Sequence, residues 1–426
     1  MSAQKIAALG LVALACLLLL APSARAQEAS GIAGVVKDTS GGVLPGVTVE
    51  ASSPALIEKV RTVVTDGEGR YNIIDLRPGT YVVTFTLAGF NVFKREGIVL
   101  TSGFTATVNA DMQVGSLEET ITVSGEASSV DTQNVRKQVL MSRELLDTLP
   151  TSTKHVNTVV TFTPGFTGLA EVTGQYSTQL GGATATFHGK SGSRVSFDGM
   201  NMENMAGVGN SSYQLNSAVV EEMVLQTSGI SAETNADGAV LNVVPKEGSN
   251  TFSFMANALY TNEHLESDNL TDELRARGVT AGNATTKIFD ESVSVGGPIR
   301  KDRLWFFGVA RTWGFAKRFA GVYFNKTQGT PFFTPLVDRP VDRASGYWTW
   351  TDSSLIRFTW KASPRNKVNF TFDRQWACNC GSSSAATAQE AAFSYHFAPN
   401  HLFQVTWSAP LTNRVLFEAR GRHRSS

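Results

Sequence analysis

Three patterns of hydrophobic and polar positions follow one another along the chain. Residues 28 to about 114 carry short β-branched or aromatic runs, "GIAGVV", "GVTVEAS", "VRTVVTD", "GRYNII", "GTYVVTFTL" and "TATVNADM", divided by the turns "DTSGG", "DGEG", "RPG" and "AGF". In "GTYVVTFTL", Tyr81, Val83 and Phe85 alternate with Val82, Thr84 and Thr86, the period of a strand with one face in a core. Such spacing predicts a β-sandwich of roughly seven strands. Asp66 and Glu68 in "TDGEGRY" lack the ligand spacing of a calcium loop and are read as a tight hairpin turn.

Residues 116 to about 248 mix periods. "SRELLDTLP" predicts a helix with Ser142 as N-cap and a stop before Pro150, and "STKHVNTVVTFTPG" a second helix ending before Pro164 and Gly165. "SRVSFDGM" sets Val195 and Phe197 against Ser196 ahead of an Asp198-Gly199 turn, and "NSAVVEEMVLQT" and "GAVLNVVPKEG" give further strands.

The third pattern repeats one design in "GGPIRKDRLWFF", "ASPRNKVNFTF" and "SAPLTNRVLFEA": a strand, a proline turn, a polar or basic pair and a new strand. The turns are assigned to Pro298, Pro364 and Pro410, and long polar segments lie at 261–287, 314–352 and 377–399. Short turns on one side and long loops on the other are the asymmetry of outer-membrane barrels, which makes the prolines periplasmic. In "KVNFTFDRQW", Val368, Phe370, Phe372 and Trp376 share one face, and Lys367, Asn369, Thr371, Asp373 and Gln375 the other. All seven tryptophans lie beyond residue 300. Trp305, Trp360 and Trp407 fall near the turns and Trp313 and Trp376 at the far strand ends, so these five are expected to face lipid as two aromatic girdles. The eight residues from Trp305 to Trp313 correspond to about 20 Å of depth on a tilted strand.

The ends and the composition narrow the compartment. A lysine in "MSAQK", the apolar run "IAALGLVALACLLLLAP" and the Ala24-Arg25-Ala26 pattern form a secretory signal peptide, residues 1–26, with cleavage expected after Ala26. No later window holds about 18 apolar residues, which excludes a helical span but not a β-barrel. Acids and bases balance at 37 each, so bulk charge gives no case for nucleic acid. Only Cys378 and Cys380 remain after the signal segment, too few for a disulfide scaffold.

With these residues in view, the chain resembles the TonB-dependent outer-membrane receptors of the Oar-like type. The matching stretches are "GIAGVVKDTSGGVLPGVTVEA" with "TDGEGRYNIIDLRPGTYVVTFTLAGF", then "LPTSTKHVNTVVTFTPGFTG", "VSFDGMNMEN" and "SAVVEEMVLQTSGISAETNADGAVLNVVPKEGSNTF", and finally "ESVSVGGPIRKDRLWFFGVAR". The resemblance implies a mainly β chain: a carboxypeptidase-regulatory-like β-sandwich with a carbohydrate-binding-like fold (27–114), a linker segment (115–130), an α+β plug domain (131–248) and the start of a transmembrane antiparallel β-barrel (249–426). It also gives a role to "EETITVSG". Glu119, Thr120, Ile121, Thr122, Val123 and Ser124 look like a TonB box, a segment that adds as a β-strand to TonB. The implied function is uptake of a bulky ligand, such as a siderophore-like chelate, an oligosaccharide or a peptide, through a plugged barrel in the outer membrane of a Gram-negative-type bacterium. Its implied partners are TonB with its inner-membrane energising complex, outer-membrane lipid and an extracellular ligand.

Other readings weigh less. His155, His188, His264, His396, His401 and His423 form no H-E-x-x-H or H-x-x-E pattern, so no hydrolase, cofactor or metal site is expected. Met200, Met202 and Met205 could suit Cu(I) but read as apolar packing, and the lone "CNC" pair is assigned neither a metal nor a disulfide. The alternative function is a secreted or surface carbohydrate-binding or adhesion module, yet Phe90, Phe93 and Phe104 are too few for a sugar platform. The last third offers about seven strands against the roughly 22 of a plugged barrel, so a truncated barrel is expected.

Overall fold

The computed structural model describes residues 30–56, 59–77, 79–100, 105–115, 120–124, 137–148, 160, 162–167, 186–190, 194–202, 213–230, 234, 236, 238–267, 270–279, 282–323, 331, 344–363, 366–380, 394–412 and 415–425. The expected signal segment, Phe104, His155, Met205, Pro364 and the second helix expected at 152–163 fall wholly or mostly outside them.

The front unit comprises β1 (Ser30–Asp38), β2 (Thr48–Ser52), β3 (Val60–Val64), β4 (Arg70–Leu76), β5 (Gly79–Thr86), β6 (Val92–Leu100), β7 (Thr105–Thr107) and β8 (Ala110–Met112), joined by β9 (Thr120–Ser124). Strand order is β4-β1-β7 in one sheet, with β8 also on β1, and β3-β2-β5-β6-β9 in the other. Alternate residues of both sheets, among them Ile32, Val36, Ile73, Val49, Val83 and Phe85, meet in one buried core, as a two-layer β-fold with period-2 strands requires. Tyr71 sits edge-on to Phe85 at 5.5 Å, and its hydroxyl donates to the Val108 carbonyl at 2.7 Å. The Asp66 carboxylate accepts the Glu68 and Arg70 N–H groups, which closes the turn read from "TDGEGRY".

The middle unit holds β10 (Lys137–Ser142), α1 (Arg143–Thr148), β11 (Phe166–Thr167), β12 (Thr186–Phe187), β13 (Arg194–Phe197), β14 (Met200–Asn201), β15 (Val220–Ser228) and β16 (Val240–Pro245). Its main sheet runs β10-β15-β16-β13-β14. Ser142 caps α1 as expected, accepting the Leu145 N–H at 3.4 Å.

The last third is one antiparallel sheet in chain order: β17 (Ser253–Asn262), β18 (Ala284–Arg300), β19 (Leu304–Tyr323), β20 (Ala344–Ser363), β21 (Asn366–Cys380), β22 (Tyr395–Thr412) and β23 (Val415–Ser425), with α2 (Asp272–Ala276) between the first two. Among the described residues the sheet is not closed, and β17 and β23 are its edges. These strands are longer than the sequence suggested. The 314–352 segment expected as a loop is strand up to Tyr323 and again from Ala344, and 261–287 and 377–399 shrink likewise. Twenty residues extend about 66 Å, twice the hydrocarbon thickness of a bilayer. Ladder hydrogen bonds join backbone groups whatever the side chains, so hairpins continue through polar sequence.

Pro298 and Pro410, expected at the turns, lie instead within strands. Pro298 lies within β18 opposite Trp305, where the register slips before Arg300, and the chain reverses at 301–303. Pro410 lies within β22, where the register slips before Thr412. A proline has no N–H for the ladder and is accommodated at such irregularities.

Two of the five tryptophans expected to face lipid are buried instead. Trp360, Trp376 and Trp407 lie on the exposed face, but Trp305 and Trp313 are only 1% and 3% exposed. Trp305 is in register with Thr359, and Trp313 with Thr351, both buried on the face turned to the middle unit. There the Trp305 indole donates to Asn250 at 2.8 Å, and the Arg311 guanidinium stacks over Trp313 at 4.4 Å. Buried indole N–H groups need such partners. The face separation read for β21 holds, with Thr371, Asp373 and Gln375 buried between partly or well exposed neighbours.

A Cβ on Gly34 would meet the Val108 carbonyl oxygen at 2.0 Å, whereas one on Gly67 would meet nothing within 4 Å. Gly34→Ala should therefore destabilise the sandwich by about 1–3 kcal/mol, and Gly67→Ala should cost distinctly less. Urea unfolding of the two variants followed by tyrosine fluorescence checks the difference.

Candidate functional site

Two arrangements could do work: a strand on the sandwich edge and a polar seam between the middle unit and the long sheet. The strand is β9, whose sequence Thr-Ile-Thr-Val-Ser is rich in β-branched residues. It pairs in parallel with β6, Val92 opposite Thr120 through Glu96 opposite Ser124. Among the described residues its other edge has no partner strand. Of the six expected TonB-box residues, Thr120, Ile121, Thr122, Val123 and Ser124 are thus held on the sandwich, and Glu119 lies outside the described residues.

The seam is built from alternate residues of the long strands. The Tyr213 hydroxyl donates to Asp373 Oδ2 at 2.5 Å, and Ser353 donates to the other oxygen of the same carboxylate at 2.9 Å. Gln375 accepts the Gln214 N–H at 2.9 Å and donates back to the Gln214 carbonyl at 2.6 Å, so its amide acts as a short strand against the middle unit. Asn216 Nδ2 donates to Ser353 Oγ at 3.0 Å. The Arg311–Asp290 pair, at 2.6 Å, neutralises its charges within the sheet. Phe307, Val309, Leu355 and Leu402 from the sheet also enter the core of the middle unit, so the seam is apolar in part.

At one end an ionic junction ties all three units together. Glu247, just after β16, pairs with Arg77 of the sandwich, with Lys367 at 3.4 Å and with Arg357 at 3.1 Å. Arg357 also pairs with Asp198 at 2.9 Å and donates to Thr371 at 2.7 Å. Burial alone would raise the Glu247 carboxyl, but the Arg77, Lys367 and Arg357 charges outweigh it and hold it well below the usual range. Nearby, burial pushes Glu222 up to about 8, with Arg77 opposing and Glu221 reinforcing the shift.

Sequence reading anticipated part of this. The polar face of β21 and the Asp198-Gly199 turn were visible, and Asp198 does stand in a backbone conformation of positive φ. Arg77, Tyr213, Glu247 and Arg357 were missed, since no motif marks them. Met202 is buried in the core of the middle unit, the packing role expected of it. In the sandwich Phe93 is core and Phe90 packs against it. Cys378 and Cys380, assigned no bond from sequence, form a disulfide with His396 beside it, because the i and i+2 side chains of a strand share a face.

Residues 31–113 match the sequence model of the carboxypeptidase regulatory-like domain. Over 327 residues the chain is 28% identical to the TonB-dependent transporter Oar of Myxococcus xanthus, covering 74% of this chain and 29% of that protein. The resemblance to Oar-like TonB-dependent receptors expected from the sequence is borne out over that stretch. Among solved structures, a mutant of the ferric enterobactin receptor PfeA of Pseudomonas aeruginosa with bound enterobactin superposes with a TM-score of 0.46 at 13% identity, covering 69% of this chain and 41% of that one. The outer membrane transporter YddB of Escherichia coli gives 0.43 at 14% identity, covering 64% and 36%. The chain therefore spans less than half the length of each of these relatives.

Glu247→Gln should leave Arg357 with Asp198 alone and destabilise the chain by about 3–5 kcal/mol, the cost of breaking a buried ion cluster; the urea midpoint measures it. A pH dependence follows from Glu222. Its folded pKa lies above the ordinary 4.5, so its stabilising share is complete below about 4.5 and is lost as pH rises through about 8. Stability should fall across that window, and Glu222→Gln should flatten the fall.

Proposed function

We propose that this chain forms the front part of a TonB-dependent outer-membrane transporter, with the middle unit as its plug and the long sheet as the first strands of its barrel. The observation that carries this reading is the edge strand β9, whose outward backbone groups can accept a further strand. Thr120–Ser124 then serve as the docking strand for TonB, with Glu119 at its start. The exposed Trp360, Trp376 and Trp407 meet lipid at the interfacial level, and the tight reversals beside Pro298, Pro364 and Pro410 lie on the periplasmic side. A bulky cargo, such as a siderophore-like chelate, an oligosaccharide or a peptide, is caught on the loop side.

Force applied at β9 reaches the plug through the segment that leads to β10. The seam suits sliding, because each neutral hydrogen bond that Gln214 or Asn216 gives up can be replaced by one to water, at a net cost of only about 0.5–1.5 kcal/mol, whereas the Tyr213 bond to the Asp373 carboxylate costs about 1.5–3 kcal/mol. Glu247 is costlier to free, since three cations surround it. It acts as the latch that a pull must break or hydrate.

Ile121→Pro removes a backbone donor in the middle of β9. In a pull-down of the detergent-solubilised chain by the periplasmic domain of TonB, binding should fall by about tenfold or more, the loss expected from a disrupted strand addition. Undiminished capture by the proline variant would reject β9 as the docking strand.

A further inference from the structure

At the loop end of β21, the register of β22 brings His396 directly opposite Cys378. The disulfide partners Cys378 and Cys380 have Cα atoms 5.3 Å apart, and His396 Nε2 lies 3.7 Å from Cys378 Sγ. The three donor atoms all fall within 4.8 Å of one another. On the opposite side β20 sets Trp350 against Cys378 and Trp348 against Cys380. The sulfurs are buried, while His396 is exposed and leaves one side of the cluster open.

We propose that, when the cysteine pair is reduced, Cys378, Cys380 and His396 bind a thiophilic divalent cation of the Zn2+ class. Two thiolates and an imidazole form a donor set suited to such ions, with bonds of about 2.3 Å to sulfur and about 2.0–2.1 Å to nitrogen. A tetrahedron of those bond lengths has a sulfur–nitrogen edge of about 3.6 Å, and the observed separation is 3.7 Å. On reduction the sulfurs have only to part to a similar edge, which rotation about their side-chain bonds supplies.

The chemistry balances with a dithiol as reductant. The S–S bond breaks, two electrons and two protons pass to the sulfurs, and the reductant closes to its own disulfide. Binding then releases both thiol protons to the buffer, because the thiolates are the ligands. Three protein donors leave a fourth position for water or for a group already carried by the metal. The cation would tether β21 to β22 at the base of the 381–393 segment, making that tether dependent on redox state. Nothing in this site depends on TonB or on transport.

The test is a Zn2+ titration of the full chain in detergent micelles against a chromophoric competitor, before and after treatment with a dithiol. The reduced chain should take up one tightly held Zn2+ that the oxidised chain does not, and His396→Ala should weaken it by about tenfold or more. Equal uptake by oxidised and reduced chains, or no change with His396→Ala, would assign the zinc to scattered surface groups and overturn the site. A second readout needs no cysteine substitution: Zn2+ should slow iodoacetamide alkylation of the reduced pair by about tenfold or more, and unaltered alkylation would also overturn it.

Discussion

The face of the long sheet that turns toward the middle unit carries charge where bulk water does not reach, and much of the remaining structure satisfies it. Arg311, Arg357 and Asp373 are all buried on that face. An isolated buried charge is costly enough that each must have a counter-charge or a set of hydrogen bonds. Arg311 finds Asp290 on the neighbouring strand, but Arg357 and Asp373 are completed by residues of the middle unit. The sheet and the middle unit are thus complementary: without the middle unit, Arg357 would lose both of its carboxylates and Asp373 its tyrosine.

That dependence explains what could be read from the sequence. Local geometry was legible. Turn residues and strand alternation in the front unit gave a β-sandwich, Ser142 marked the start of α1, and the two faces of β21 separated correctly. What could not be read was which face of a given strand meets the middle unit. Trp305 and Trp313 resemble membrane-interface tryptophans in sequence, but the fold buries them: Trp305 against Gly248 and Asn250, and Trp313 in a cluster with Ile288 and Phe315 of the sheet itself. The loop lengths were misjudged for a related reason: polar side chains in 314–352 signal exposure to water, but they do not stop a backbone ladder.

The ionic junction was illegible for a different reason. Arg77, Asp198, Glu247, Arg357 and Lys367 come from three units and are separated by no repeating interval, so neither helix nor strand periodicity links them. Each read singly is an ordinary surface charge. Only the assembled fold shows that Glu247 is surrounded, and that the Arg77 contact couples the sandwich to the same point where the sheet and the middle unit meet. The Cys378–His396 contact arises in the same way, from the register of two strands rather than from a motif.

The seam divides its tasks between apolar and polar contacts. Phe307, Val309, Leu355 and Leu402 join the core of the middle unit and supply non-directional attraction that tolerates small displacements. The Gln375, Asp373 and Arg357 contacts have directional requirements and fix one position among those the apolar contacts would allow. A contact held only by apolar packing would be poorly located, and one held only by buried ions would have to expose unpaired charge at every step of a movement. Gln375 offers the intermediate solution: its amide makes two hydrogen bonds to one backbone unit, and water can take over both without leaving a charge behind. Movement of the middle unit should therefore begin along the neutral amide and hydroxyl contacts, with the Glu247 junction yielding last.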